Sequence, residues 1–181
     1  MQKLIHCLKD LYLKLEGVPV LGYPLRRLRP AISSWFFDLF FPEQRQYWAH
    51  RIKIVRSSSD NDKIERVEDA GQIKDGYLIM HNGIKIDPSS YYGEGNRKLL
   101  QLNKGVHEPQ EERVFQEVLK LMPEGAAMLE LGAYWCFYSM WFARSVPGAV
   151  NVMVEPAAPN LAFGKRIFRS IIYKVRLFRV M

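Results

Sequence analysis

The stretch from residue 126 to residue 139, AAMLELGAYWCFYS, most constrains the fold of this chain. Its first half is an apolar run that ends in Glu130 and Gly132, and it continues into a helix-like segment over residues 137–146. A buried parallel strand that turns sharply into a helix has this pattern. The sequence therefore predicts a strand, a tight turn at Gly132 and a helix.

A second strand of the same kind follows. Residues 150–155, VNVMVE, are rich in valine and end in Glu155. Gly132 allows a close approach of the backbone to a ligand, and the next helix begins with unbonded N–H groups. The spacing to Glu155 is close to the roughly 20 residues of a nucleotide-binding βαβ unit, whose acid accepts hydrogen bonds from ribose hydroxyls. For Gly132 alone, a role in sheet packing is the alternative interpretation.

Four separated motifs resemble those of FkbM-type methyltransferases, a family of class I enzymes that use S-adenosyl-L-methionine. In chain order they are HEPQEE at residues 107–112, ELGAYW at 130–135, VEP at 154–156 and NL at 160–161. The likeness covers residues 77–168. Cys136 departs from the pattern, because a small residue, often glycine, is common there. Ala157 and Ala158 stand where the family usually has another acid.

The resemblance implies a cofactor-binding set. In the family, the turn with the glycine lies against the methionine part of S-adenosyl-L-methionine, and the second acid holds the ribose. These roles fall to Glu130, Gly132, Ala133 and Tyr134, and to Glu155. Glu108 matches the acid just ahead of the core and is expected on the cofactor side. No catalytic base is identified.

The expected fold is α/β, with a Rossmann-like methyltransferase core. The expected organisation is an N-terminal amphipathic and aromatic helical extension (1–55), a polar linker (56–76) and a partial methyltransferase domain (77–181). A β-hairpin is predicted around His81-Asn82-Gly83, with His81 as a turn residue. The core is expected to be incomplete, with its first two parallel strands and a third from the alternation of Tyr173, Val175 and Leu177.

Residues 109–122 read as a helix that Pro109 begins. Its first turn is acidic, with Glu111 and Glu112, which suits the positive end of the helix dipole. The apolar residues at helical spacing predict a single apolar face, formed by Val114, Phe115, Val118, Leu119 and Met122.

The family transfers a methyl group from S-adenosyl-L-methionine to a hydroxyl, often of a sugar or a natural product. We expect that activity of an intact member, with a small-molecule methyl acceptor, and an inactive or impaired chain here because strands of the full sheet are missing. The alternative is a non-catalytic cofactor-binding or interaction module. The uncovered strand edge then predicts self-association or a partner chain that completes the sheet.

The charge pattern leaves a membrane contact open. Lysine and arginine number 26 against 19 acids, which gives a net charge of +7. The amphipathic residues 2–16, the basic residues 25–30 and the aromatic residues 35–41 could contact an anionic membrane surface or pack on the domain. Nucleic-acid binding is not favoured, since the arginines do not alternate with aromatic residues.

The cysteines and the apolar runs suggest a cytoplasmic protein. Cys7 and Cys136 are far apart, so neither a disulfide framework nor a metal cluster is expected, and a reducing compartment fits. No apolar run approaches the roughly 20 residues of a membrane span.

Overall fold

A computed structural model of the chain describes residues 42–88, 93–157 and 175–178. The fold is mixed α/β, as predicted. The helices are α1 (Pro42–Ser57), α2 (Gly93–Leu102), α3 (Pro109–Lys120) and α4 (Phe137–Ser145), and a short 3-10 helix spans Ser59–Lys63. The strands are β1 (Ile73–Lys74), β2 (Tyr77–Ile79), β3 (Lys85–Ile86), β4 (Ala127–Leu131), β5 (Val150–Val154) and β6 (Val175–Phe178). The predicted helix over residues 2–16, the aromatic residues 35–41 and the motif at 160–161 lie outside the described residues.

The antiparallel sheet confirms the predicted hairpin and extends it. Strand β2 pairs with β3, where Leu78 faces Ile86, and β1 pairs with the other side of β2. In the turn, the Met80 N–H donates to the Ile84 carbonyl at 2.8 Å, and Gly83 has a φ of +81°. That φ is accessible to glycine at little cost, so the residue type suits the turn.

The parallel sheet has the order β4, β5, β6. Strands β4 and β5 pair along five residues, from Ala127 opposite Val150 to Leu131 opposite Val154. Strand β6 lies parallel to β5 on its other side, with Val175 opposite Asn151. The two predicted parallel strands and the third are therefore present, and their carboxyl ends meet at one edge of the sheet.

The hydrophobic core joins the antiparallel sheet, helix α4 and the turn that follows β4. Its buried members are Leu78, Met80, Ile84, Ile86, Leu100, Ala133, Trp135, Cys136, Phe137, Met140, Trp141 and Met153. The rings of Trp135 and Phe137 stack with their centroids 5.1 Å apart. Burial of one large apolar side chain contributes roughly 1.5–3 kcal/mol to stability. Three core members come from residues 132–136, so the core fixes the position of that turn.

Residues 56–76, predicted as a polar linker, contain the 3-10 helix and β1. Asn61 is buried, and its amide donates to the Val55 carbonyl at 2.7 Å. Ile64 is buried as well. The polar composition reflects side chains that bond to local backbone groups, which is a common role of asparagine and serine in turns.

Helix α2 was not predicted from the sequence. Its surface packs against α1, and Gly95 lies directly against the indole ring of Trp48. A Cβ at this position would overlap the ring. The glycine therefore permits a close contact between two helices, which outweighs its poor helix propensity.

Candidate functional site

Gly132 and Glu155 meet at the carboxyl ends of β4 and β5. The N–H groups of Gly132 and Ala133 both donate to the Val154 carbonyl, at 2.8 and 3.1 Å. The carboxylate of Glu155 accepts a hydrogen bond from the Tyr134 N–H at 2.9 Å. These contacts bring the two predicted ligand-binding positions, in neighbouring turns, together at the edge of the parallel sheet.

Glu155 also accepts a hydrogen bond from a second backbone group. Its Oε1 accepts a hydrogen bond from the Ala157 N–H at 2.8 Å, while Oε2 binds Tyr134. The carboxylate thus connects the turn after β4 with the turn after β5. Only 5% of Glu155 is exposed, so most of this acid lies beneath the two turns.

The turn after β4 alternates between ordinary and left-handed backbone. Gly132, Tyr134 and Cys136 have φ values of +72°, +41° and +65°. A non-glycine residue in this region stores roughly 1–3 kcal/mol of strain, which the surrounding structure must offset. Burial of Cys136 and the bond from Tyr134 to Glu155 supply that support. Within the described part of the chain, and apart from its two chain neighbours, no atom lies within 4 Å of a Cβ built on Gly132, so its backbone borders open space there.

Glu130 faces the first turn of α4. Its Oε2 accepts hydrogen bonds from the Ser139 N–H, at 3.1 Å, and from the Ser139 hydroxyl. Burial raises the pKa of Glu130 to about 7, although the bonds from Ser139 oppose this shift. Asn151 of β5 donates to the Ser139 carbonyl at 2.7 Å. Glu130 therefore connects strand β4 to the first turn of helix α4.

Glu108 occupies the N-cap position of α3. Its Oε2 lies 3.3 Å from Nε2 of His107 and accepts a hydrogen bond from the Tyr138 hydroxyl at 3.4 Å. The bond from His107 lowers the pKa of Glu108, and burial opposes this. Glu108 is thus connected to the first turn of α4 through Tyr138, on the α3 side of that helix.

A buried cluster of two histidines and one glutamate lies between the hairpin and α3. Glu112 Oε2 is 3.0 Å from His81 Nε2, and Glu112 Oε1 is 2.6 Å from His107 Nδ1. Oε1 also accepts hydrogen bonds from the N–H groups of His107 and Glu108, at 2.8 and 2.9 Å. None of His81, His107 and Glu112 is more than 3% exposed.

In the buried cluster, His107 and Glu112 each stabilise the charged form of the other. Burial alone would lower the pKa of His107, but Glu112 and then Glu108 outweigh it and raise that pKa to about 9. Burial would raise the pKa of Glu112, whereas His107 and His81 hold it well below its usual range. A buried charge is stable only with such partners. We infer that His107 and Glu112 form an ion pair at neutral pH.

The sequence contained one signal for the buried cluster. Glu112 lies three residues before Phe115 and seven before Leu119, so it shares the helix side that packs inward. We interpreted it as a favourable charge for the helix dipole, and we interpreted His81 as a turn residue. Nothing local indicates that these side chains, 31 positions apart, meet in the core.

The described residues contain no group of three or more His, Cys, Asp or Glu side chains arranged to hold a metal ion. In the same part of the chain, no helix is both long and apolar enough to cross a membrane. Comparisons of the sequence with models of protein families and with curated proteins give no match.

Proposed function

We propose that the edge formed by the carboxyl ends of β4 and β5 binds S-adenosyl-L-methionine, as part of a Rossmann-like core of the FkbM methyltransferase type. The observation that carries this proposal is the meeting of Gly132, whose backbone borders open space, with the carboxylate of Glu155. Ligands of open parallel sheets bind outside the carboxyl ends of the strands.

The carboxylate of Glu155 is the type of side chain that binds the ribose hydroxyls of an adenosine. Glu155 stands at the end of the second parallel strand, where the acid of a nucleotide-binding βαβ unit accepts hydrogen bonds from ribose hydroxyls. Only 5% of Glu155 is exposed, so a ribose contact at this acid requires a local rearrangement. The N–H groups of Gly132, Ala133 and Tyr134 already donate within the protein, so these residues contribute a surface rather than hydrogen-bond donors.

The bound cofactor would supply an activated methyl group for transfer to a hydroxyl oxygen of a small-molecule acceptor, such as a sugar or a natural product. The part of the chain described here would hold and orient that cofactor, and orientation is a main source of rate acceleration in such a displacement. We assign no general base among the described residues.

A non-catalytic cofactor-binding or interaction module is the second candidate. It is favoured by the outer edge of β4, which no described strand covers and where Leu129 and Leu131 are 61% and 73% exposed. A peripheral membrane contact would depend on residues 25–30 and 35–41, which lie outside the described residues.

Calorimetric titration with S-adenosylhomocysteine, the demethylated form of the cofactor, tests the proposal. We expect binding to the unmodified chain and at least a tenfold weaker affinity in Glu155→Gln, because an amide loses the charge and one acceptor atom. The matched control is Glu124→Gln, since Glu124 is exposed and precedes the amino end of β4.

Circular dichroism on each protein verifies that it is folded before titration. Equal binding by the unmodified chain and by folded Glu155→Gln would place the cofactor elsewhere. No heat of binding to the folded unmodified chain would reject the cofactor proposal and favour the interaction module.

A further inference from the structure

The positive charge of the chain is concentrated in the segment that ends with helix α1. Residues 25–57 contain seven lysines and arginines against two acids. Residues 58–181 contain sixteen against fifteen, so they are nearly neutral. Such an uneven distribution of charge is typical of chains that bind an anionic surface or a nucleic acid. Helix α1, at 42–57, is the part of this basic segment that the structure describes.

One side of α1 packs on the rest of the protein, and the rest of the helix is exposed. The packed side consists of Trp48, Ile52 and Val55, at positions i, i+4 and i+7. Val55 is buried, and Trp48 and Ile52 are half-buried. The other residues from Glu43 to Ser57 are all exposed. The outer face of α1 is therefore not covered by the rest of the described chain.

The outer face of α1 combines apolar side chains with cations. Tyr47, His50 and Ile54 stand at positions i, i+3 and i+7, so they form one line along the helix. Tyr47 and Ile54 are 60% and 55% exposed. At 3.6 residues per turn, Arg51 lies on one side of this line and Lys53 on the other. A line of apolar groups with cations beside it is typical of helices that lie in a membrane interface.

The cations of α1 are not neutralised within the described part of the protein. Arg45, Lys53 and Arg56 form no ion pair with a described acid. By contrast, Arg113 of helix α3 lies 2.7 Å from Asp60. The opposite charge for the cations of α1 therefore comes from solvent ions or from a partner.

We propose that the outer face of α1 docks on an anionic phospholipid surface. Arg51 and Lys53 attract the lipid phosphates, which their flexible stems allow them to reach. Tyr47 suits the level of the head groups, and Ile54 suits the boundary with the acyl chains. The helix lies along the surface in this arrangement and does not cross the membrane.

The apolar side chains are the reason to choose a lipid over a nucleic acid. An exposed isoleucine adds nothing to a phosphate contact, whereas a lipid surface buries it. Single-stranded nucleic acids bind to several rings that stack on successive bases, and the outer face of α1 offers one, Tyr47. Stable anchoring takes an apolar and a basic signal. The sequence before α1 contains both, with three arginines in residues 25–30 and five aromatic residues in 35–41.

Co-sedimentation of the full-length chain with vesicles measures this contact. We expect binding to vesicles that contain phosphatidylserine, and about tenfold weaker binding to vesicles of phosphatidylcholine alone. The variant Arg51→Glu/Lys53→Glu should bind the anionic vesicles at least about tenfold more weakly, because two attracted charges become repelled ones. The matched control is Lys85→Glu/Lys104→Glu, which changes the net charge equally at exposed positions outside α1. It should weaken binding by less than about threefold.

A second variant, Ile54→Gln, separates a lipid surface from a nucleic acid. It keeps every charge and a good helix former, and it removes the apolar side chain. Binding to anionic vesicles should weaken by about threefold or more, and any binding of single-stranded RNA should stay unchanged. Circular dichroism verifies that each variant folds.

Three results would overturn the proposal: no binding to anionic vesicles, an equal loss in the control pair of lysines, or vesicle binding that Ile54→Gln leaves unchanged. Binding of single-stranded RNA that is lost in Arg51→Glu/Lys53→Glu, without binding to vesicles, would assign this face to a nucleic acid. The vesicle assay contains no cofactor, so this inference and the cofactor proposal can fail separately.

Discussion

Glu155 and Glu112 are both buried acids with two backbone N–H donors, yet they do different work. Glu155 joins two turns at the edge of the parallel sheet. Glu112 is fully buried and holds two histidines between the hairpin and α3. The comparison teaches that two buried acids with the same number of backbone donors differ in their other partners: Glu112 has two histidines beside it, whereas Glu155 lies between two turns.

The largest effect on stability is expected for Glu112→Gln. It removes the negative charge from a site where His107 is held protonated, and breaking a buried ion pair from one side costs about 3–5 kcal/mol. Urea denaturation measures the free energy of unfolding. Glu111→Gln in the same first turn of α3, but at an exposed position, is the control and should lower it by no more than about 1 kcal/mol, because it also loses the favourable charge at the helix dipole. A similar small loss in Glu112→Gln would show that the cluster is not an ion pair.

The pH dependence of stability tests the same cluster without a mutation. The pKa of His107 is raised from 6.5 to about 9, so its contribution is fully present below pH 6.5 and is lost as the pH rises toward 9. The expected loss is about 3 kcal/mol. The lowered pKa of Glu112 predicts a second loss as the pH falls below its usual value of 4.5. Urea denaturation at a series of pH values measures both.

His107→Gln should flatten the alkaline limb of this profile. A glutamine does not titrate, so the slope between pH 6.5 and 9 should disappear in the variant. A slope that persists would assign the alkaline loss to another group.

A smaller effect on stability is expected for Glu155→Gln. The amide turns a donor toward either the Tyr134 or the Ala157 N–H, so one backbone group loses its acceptor, at a cost of about 1–3 kcal/mol. Thermal unfolding of the variant and of Glu124→Gln provides the measurement. A loss as large as that of Glu112→Gln would remove the contrast between the two acids.

The smallest effect is expected for Gly132→Ala. A Cβ there meets no atom of the other described residues, so the change reflects the left-handed backbone, at about 1 kcal/mol. In Gly105→Ala the Cβ would overlap the backbone of Met80 and His81, so a much larger loss is expected. Thermal unfolding compares the two variants, and equal losses would contradict the open space at Gly132.

Local patterns in the sequence sufficed for the turn after β4, the hairpin and the parallel strands. Alternating apolar residues and glycines at turns act over a few positions, and parallel strands bring Gly132 and Glu155 together by topology. The cofactor roles of Glu108, Glu130 and Glu155 stay predictions.

The same patterns do not predict contacts between side chains that are far apart in the sequence. On α3, the residues that are fully or nearly buried include Glu112 and Gln116, while Val114 and Val118 of the predicted apolar face are exposed. Gln116 accepts a hydrogen bond from the Glu65 N–H, 51 residues away. A polar side chain is buried when a distant partner satisfies it, and one sequence does not identify that partner.

The amide of Tyr134, three residues after the end of β4, is held by a side chain. Hydrogen exchange at this amide should therefore follow the position of the Glu155 carboxylate, while the amides within β5 follow the opening of the whole sheet. The exchange rate of this one amide proton thus reports whether Glu155 joins the two turns, and it does so without a ligand or an activity assay.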